Sequence, residues 1–157
     1  YKIPDLHIPT TVTAGCAIRL AASISYYFLN TGVPTRMICN GSDCITDQVA
    51  VIPTGSGLRH VNAIAEVLAR IDLTRTVVSC TDQLHELTNK MANSTSAPLY
   101  IMISNSMSNS LQDAFEQLIK TGSSAMWIAP LYEDMELRVR KIPNMDIIRW
   151  EVNKYEN

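Results

Sequence analysis

The alternation of apolar and polar positions is clearest in the third quarter of the chain. Leu99 to Ile103 is an unbroken apolar run, typical of a strand that is covered on both faces in a parallel sheet. A hydroxyl-rich loop, residues 104–110, follows directly. Apolar residues then recur at helical spacing, namely Leu111, Phe115, Leu118 and Ile119. This pattern predicts a strand, a loop and a helix, with Ile103 buried in the core.

Helical stripes and a hairpin are predicted upstream of that strand. The apolar members of the stripes are Ala17, Ala21, Ile24 and Phe28; Leu58, Val61, Ala65 and Leu68; and Leu84, Leu87 and Met91. Residues 1–11 are predicted to be an irregular lead-in, because Pro4 and Pro9 interrupt regular structure. Residues 35–40 and 48–52 are predicted to pair as an antiparallel hairpin at a sheet edge, with the turn at Asn40-Gly41.

Three elements are predicted towards the end of the chain. Residues 125–129 form a second continuous apolar run and therefore a second buried strand. Residues 133–140 mix charges of both signs and are predicted to be a short helix with a solvated face. Residues 146–152 alternate apolar and charged side chains, which favours an edge strand with one wet face.

Strands that alternate with helices predict a three-layer α/β domain. Because the sequence shows no internal repeat and no low-complexity linker, we expect one domain over residues 1–157. Such a domain normally begins with a strand, whereas the first clear element here is a helix. The first strand is therefore expected to be missing from the sheet. Two outcomes then remain open. Either the sheet closes up, with residues 1–8 filling part of the gap, or two chains supply each other's missing pairing as a symmetric dimer. We favour the homodimer, because Pro4 and Pro9 make residues 1–8 a poor substitute for a strand.

Composition narrows the class of protein. The chain has 157 residues, a formal net charge of -2 and 46% apolar residues, which together indicate a globular domain with a real core. It shows no basic stripe that would bind nucleic acid and no apolar run near the ~20 residues of a membrane span. We therefore expect this segment to contact neither nucleic acid nor a membrane. The four cysteines lack metal-ligand spacing and are expected to be reduced thiols in the cytoplasm, with a Cys39–Cys44 disulfide as the alternative.

Most of residues 11–130 resembles a known family. The stretches that carry the resemblance are residues 17–34, residues 52–57 with the helix at 58–71, the strand end at 100–105, and the helix-to-strand step at 122–130. They are similar to the von Willebrand factor A-like bacterial domains of unknown function (family fifty-eight), which are often encoded beside MoxR-type AAA ATPases. The resemblance implies a Rossmann-like fold and a non-enzymatic interaction role with such an ATPase. It also implies a membrane-anchored parent protein with this domain in the cytoplasm.

The resemblance also bears on metal binding. Von Willebrand A domains hold a hard cation with a D-x-S-x-S motif after the first strand and with a Thr and an Asp from two later loops. No D-x-S-x-S occurs here, Thr54 matches the Thr position only loosely, and Asn105 stands where the Asp is expected. An amide lacks the charge that offsets dehydration of Mg²⁺. We therefore expect no metal, no cofactor and no catalytic residue.

Two loops remain as candidate sites for a ligand or partner. Their residues are Thr54, Gly55, Ser56 and Gly57, and Ser104, Asn105, Ser106 and Ser108. The first loop is a glycine-rich turn before a helix, where free backbone N–H groups can hold a phosphate, although the Lys of a P-loop is absent. The second follows a parallel strand, where ligands of α/β sheets usually bind. The alternative function is thus a small α/β enzyme or a nucleotide- or phosphate-binding domain that uses both loops.

Overall fold

The computed structural model describes the backbone of residues 3–153 and the side chains of residues 12–153. The chain is a mixed α/β protein, as predicted. Its elements are α1 (Ile3–Asn30), β1 (Thr35–Ser42), β2 (Val49–Gly55), α2 (Gly57–Ala69), α3 (Cys80–Met91), β3 (Leu99–Ile103), α4 (Asn109–Ile119), β4 (Ser124–Tyr132) and β5 (Met145–Val152).

The chain divides into two compact units. The first unit is residues 1–13 with residues 79–157, and the second unit is residues 14–78. Each has its own core, and each is described by itself. That they form the one domain expected from the sequence stays a prediction.

The first unit contains a parallel sheet in the order β3-β4-β5. The apolar face of α4 packs on one face of this sheet, where Phe115 meets Trp127 edge-on with ring centroids 5.8 Å apart. Burial of these large rings stabilises this unit. The other buried members of the core are Met102, Leu111, Leu118, Ile119, Ala125, Ala129, Leu131 and Ile142. Leu84 and Leu87 of α3 pack against them, as their spacing predicts.

Strand β5 is the predicted edge strand, but its predicted alternation holds only in part: Val152 is buried and Glu151 is exposed, as expected, whereas Ile148 and Trp150 are exposed. Trp150 is 47% exposed, whereas the neighbouring Arg149 is half-buried. The Arg149 guanidinium donates to the carbonyl oxygen of Tyr132 at 2.7 Å and pairs with Glu151. Because these partners satisfy the cation, the Arg149 side chain can be half-buried next to the exposed Trp150.

The second unit contains the predicted antiparallel hairpin as a two-stranded sheet of its own, β1-β2, rather than as the edge of a larger sheet. Its turn was predicted at Asn40-Gly41, which is wrong, because β1 continues to Ser42 and the chain reverses over residues 43–47. The Asp43 carboxylate accepts from the N–H groups of Ile45 at 2.7 Å and Thr46 at 3.1 Å. These bonds stabilise the later turn. The hairpin packs with Leu29, Ile64 and Leu68.

Three local predictions are corrected by the structure. Residues 1–11 were predicted to be an irregular lead-in, but α1 begins at Ile3 and contains both prolines. Pro4 lies in the first turn, where its missing N–H would have no intrahelical acceptor, whereas Pro9 lies further inside the helix. Val77 and Val78, whose β-branched side chains predict a brief extended stretch, form no strand, and both side chains are exposed. Residues 133–140 are not a helix. They run as irregular chain whose apolar members, Met135, Leu137 and Val139, pack against the core of the first unit.

Helix α1 also differs from the expectation that no apolar segment approaches the length of a membrane span. Its portion Val12–Asn30 is long and apolar enough to cross a membrane by length and composition alone. The sequence pattern obscured this because Arg19 and two serines, Ser23 and Ser25, interrupt the apolar residues.

Candidate functional site

The loop after β3 lies at the carboxyl end of the parallel sheet, as predicted, but it spans residues 104–108 rather than 104–110, because α4 begins at Asn109. The Trp127 indole N–H, fully buried in β4, donates to the carbonyl oxygen of Ser104 at 3.0 Å. The Ser104 N–H in turn donates to the carbonyl oxygen of Ile128 at 3.0 Å. The start of the loop is therefore fixed to β4 on both its donor and its acceptor side.

The serine hydroxyls of this loop shape the loop itself. Ser104 Oγ accepts from the N–H of Ser106 at 3.1 Å. Ser108 is the N-cap of α4, and its Oγ accepts from the N–H of Leu111 at 3.3 Å. These are the turn and cap roles that serine commonly fills. The alternate serine spacing is thus explained without a bound ligand.

Asn105 is half-buried, and its side chain makes a hydrogen bond to a residue far away in the sequence. Its Nδ2 donates to the hydroxyl of Thr13 at 3.2 Å, and the Thr13 side chain is buried. Both residues belong to the first unit. The amide therefore holds the loop to the N-terminal helix, a role that does not require a carboxylate.

The sequence analysis missed Gln112, which organises the other side of the site. This α4 side chain is 2% exposed. Its Nε2 donates to the carbonyl oxygens of Met107 at 2.9 Å and Arg138 at 3.2 Å, and its Oε1 accepts from the N–H of Arg140 at 2.9 Å. The one sequence signal was a polar residue directly beside Leu111 within the apolar stripe of a helix.

Together these contacts form an open groove of about 300 Å³ at the end of the sheet. Its lining residues are Asn105, Met107, Leu131, Met135, Glu136 and Arg138. Glu136 and Arg138 form an exposed ion pair at 3.1 Å along one side. The groove thus combines flexible thioether side chains with a charged rim, and the residues that line it include no thiol or imidazole.

A second ion-paired group flanks Gln112. The Arg140 guanidinium donates to Glu116 at 2.8 Å and to Asp113 at 2.7 Å. These two carboxylates raise the pKa of Arg140, with Glu116 as the larger cause. Arg140 is thereby held along α4 and adds fixed charge beside the groove.

Among residues 12–153, no group of three or more His, Cys, Asp or Glu side chains could hold a metal ion. The four cysteines are free thiols, so the alternative Cys39–Cys44 disulfide is absent. Burial raises the pKa of Cys39, which lowers its thiolate fraction and its reactivity.

The glycine-rich turn belongs to the second unit. Strand β2 ends at Gly55, Ser56 is the N-cap of α2 without a side-chain cap bond, and Gly57 has a φ of +81° that favours glycine. Thr54 is exposed at the end of β2. The predicted residues Thr54 to Gly57 are therefore neighbours, and they lie in a different unit from Ser104, Asn105, Ser106 and Ser108.

The position of the His60 ring explains why residue 55, the first glycine of this turn, has no side chain. A Cβ at Gly55 would lie 2.5 Å from His60 Nδ1, which is closer than real Cβ contacts. The His60 Nε2–H donates to the carbonyl oxygen of Thr35 at 2.7 Å. A lone histidine in this helix is expected from the sequence to be a solvated surface residue, but the His60 ring is half-buried and ties α2 to the start of β1.

Comparison with protein-family models, with curated proteins and with solved structures found no match to this chain.

Proposed function

We propose that this chain is a non-enzymatic protein-interaction domain of the von Willebrand A-like class, with a MoxR-type AAA ATPase as its partner. In this proposal it is a cytoplasmic domain of a membrane-anchored parent protein. The support is the resemblance of residues 17–34, 52–71, 100–105 and 122–130 to that family, together with the α/β architecture.

The observation that carries the interaction role is the chemistry of the groove at the end of the sheet. Met107 and Met135 supply flexible, polarisable side chains. Such side chains can change conformation to fit the surface of a protein partner. The Glu136–Arg138 pair at the rim offers both signs of charge for orientation. The polar side chains that could activate a substrate, Ser104 and Ser108, instead bond to their own loop.

The partner is tested by titrating a MoxR-type ATPase into the full chain in a calorimeter. Saturable binding is expected, and Met135→Glu should weaken it at least about tenfold, since a carboxylate would be placed in the contact. Met91→Glu is the matched control, because Met91 is also half-buried but lies at the end of α3, outside the groove. Circular dichroism of both variants checks that they fold. Equal loss of binding in both variants would contradict the groove as the contact.

The alternative is a small α/β enzyme or a nucleotide- or phosphate-binding domain that uses the loops at Thr54 to Gly57 and at residues 104–110. Thermal unfolding with Mg²⁺, Mn²⁺, nucleotides and phosphate separates the two functions. The interaction role predicts an unchanged midpoint with each, whereas a clear rise with a nucleotide favours the alternative, because a ligand that binds only the folded state stabilises it.

A further inference from the structure

Strand β3 has the composition of an interior strand but lies at the end of its sheet. Its five residues, Leu-Tyr-Ile-Met-Ile, carry no charge, no proline and no register irregularity against β4. In the described part of the chain, β4 is its hydrogen-bonded neighbour, and no strand pairs with its other side. Natural edge strands usually carry charges, prolines or bulges that discourage pairing with another chain, and β3 has none of these.

The hydrogen bonds of β3 show which backbone groups lie on the open side. Ser104 donates to Ile128, and the Pro98 carbonyl accepts from Ser123. Because alternate residues of a parallel strand bond to the same neighbour, the even-numbered residues face β4. Leu99, Ile101 and Ile103 therefore direct their N–H and C=O groups away from β4. Among the described residues, no backbone bond is found for these groups.

The opposite edge of the same sheet provides the contrast. Strand β5 carries Asp146, Arg149 and Glu151. Glu151 is an exposed carboxylate, and it pairs with Arg149 across the outer end of the strand. Charges of this kind hinder the approach of another strand. One edge of the sheet is thus protected and the other is not.

We propose that β3 pairs with β3 of a second copy of this chain, antiparallel and about a two-fold axis at Ile101. The result is a continuous six-stranded sheet in the order β5-β4-β3 followed by β3-β4-β5 of the second copy. This inference deepens the proposed interaction role by naming one partner, and it does not depend on the ATPase.

The spacing of the open groups fits a second copy. With Ile101 on the axis, its N–H and C=O meet those of Ile101 in the second copy, and Leu99 meets Ile103 in the same way. Every outward N–H and C=O of the three residues then has a partner. The residues brought opposite one another are all apolar or aromatic, with Tyr100 opposite Met102, so no like charges meet. A neutral, symmetric edge is self-complementary without any change of sequence.

The first test is sedimentation of the full chain over a series of concentrations, for the native protein and two proline variants. The native chain should form a dimer that dissociates on dilution. Ile101→Pro removes one outward N–H from each copy and should raise the dissociation constant roughly tenfold or more, since two backbone bonds are lost. Ile147→Pro is the matched control on β5, where the Ala125 N–H bond to the Asn144 carbonyl shows that odd-numbered residues face outward. It should leave the dimer intact.

The second test uses charge at the axis. Ile101→Lys and Ile101→Glu each place like charges opposite one another, so each variant alone should be monomeric. An equimolar mixture of the two should restore a dimer that contains one copy of each. Recovery in the mixture distinguishes direct contact at residue 101 from a general loss of stability, which mixing would not repair.

Each contrary result has a clear meaning. A native chain that is monomeric at every concentration, with β3 amides protected from exchange, would mean that another segment covers this edge and would overturn the proposal. A dimer that survives all Ile101 variants would mean that a different surface associates. Equal disruption by Ile101→Pro and Ile147→Pro, or variants that stay monomeric when mixed, would also overturn it.

Discussion

The Gln112 side chain acts as a short piece of β-strand. It bonds to the carbonyl oxygen of Arg138 and the N–H of Arg140, the two backbone groups that flank Val139, as a neighbouring strand would. Among the described residues, no strand pairs with the segment that follows β4, and this amide supplies two of the segment's hydrogen bonds. The position of the groove therefore depends in part on this one helical residue.

We predict that Gln112→Glu destabilises the protein by about 1–3 kcal/mol, because a carboxylate has no donor for the carbonyl oxygens of Met107 and Arg138. Gln112→Leu should lower the stability by a similar amount. Only the leucine variant should speed exchange of the Arg140 amide, because the carboxylate of the glutamate variant can still accept a hydrogen bond from that N–H. Chemical denaturation and hydrogen exchange measure the two effects. Gln117→Glu, on the exposed face of the same helix, is the control and should change little.

The ionisation of the Asp43 carboxylate makes the stability of the second unit depend on pH. The N–H of Ile45 is the largest cause that holds the pKa of Asp43 below its ordinary value, and Thr46, Arg70 and Arg75 act in the same direction. A depressed pKa in the folded state means that Asp43 stabilises the fold above its unfolded-state pKa, and that this contribution is lost as the pH falls through the folded value.

We therefore predict that Asp43→Asn lowers the unfolding midpoint at pH 7, and that the difference from the native chain shrinks as the pH falls below about 4. Thermal unfolding between pH 7 and pH 3 measures this. Asp146→Asn, an exposed carboxyl on β5, is the matched control. A difference for Asp43→Asn that is the same at every pH would show that the turn does not depend on the charge.

At the scale of elements, the strands were predictable where their own pattern determines them. The apolar runs at 99–103 and 125–129 became β3 and β4, since a buried parallel strand needs apolar residues on both faces. Residues 133–140 were misread because their mixed charges suggested a helical surface. Met135, Leu137 and Val139 in fact alternate with charged residues at a period of two, and only a distant partner, Gln112, fixes that segment.

The same reason limits what could be predicted of the candidate site. The loop at Ser104 to Ser108 was placed correctly after a parallel strand, and its capping serine follows from local chemistry. The groove was not predictable, because half of it comes from the misread segment. Gly55 likewise resembled part of a phosphate loop, although it is required by His60, a contact between two elements that no local motif records.

Strand β3 provides a test of the core at this scale. The sequence predicted Ile103 as its buried residue, but Ile103 is half-buried and Met102 is 7% exposed, in contact with the α4 side of the sheet. We predict that Met102→Ala lowers the free energy of unfolding by about 2–5 kcal/mol. Leu99→Ala on the same strand should have a much smaller effect, because Leu99 is 44% exposed. Equal effects in urea denaturation would contradict the assigned core.

At the scale of the whole molecule, the residues that the structure describes form two apolar cores. One surrounds Leu118 and Trp127 in the first unit, and the other surrounds Ile64 and Leu68 in the second. The second unit is formed by one continuous stretch, residues 14–78, whereas the first combines residues from both sides of it. Local opening of a protein often follows such units.

We predict that a cavity in either core acts mainly on the unit that contains it. Ile64→Ala should speed amide exchange in β1, β2 and α2, and Leu118→Ala should speed it in β3, β4 and α4, because each substitution removes contacts from one core at a cost of about 2–5 kcal/mol. Hydrogen exchange resolved by residue in native buffer measures both patterns. Within the first unit, β4 should stay the slowest strand, since it alone there has a hydrogen-bonded strand on each side among the residues that the structure describes. If both variants sped exchange equally throughout residues 12–153, the two cores would open as one cooperative unit, and the single domain expected from the sequence would be the correct description of how this chain folds.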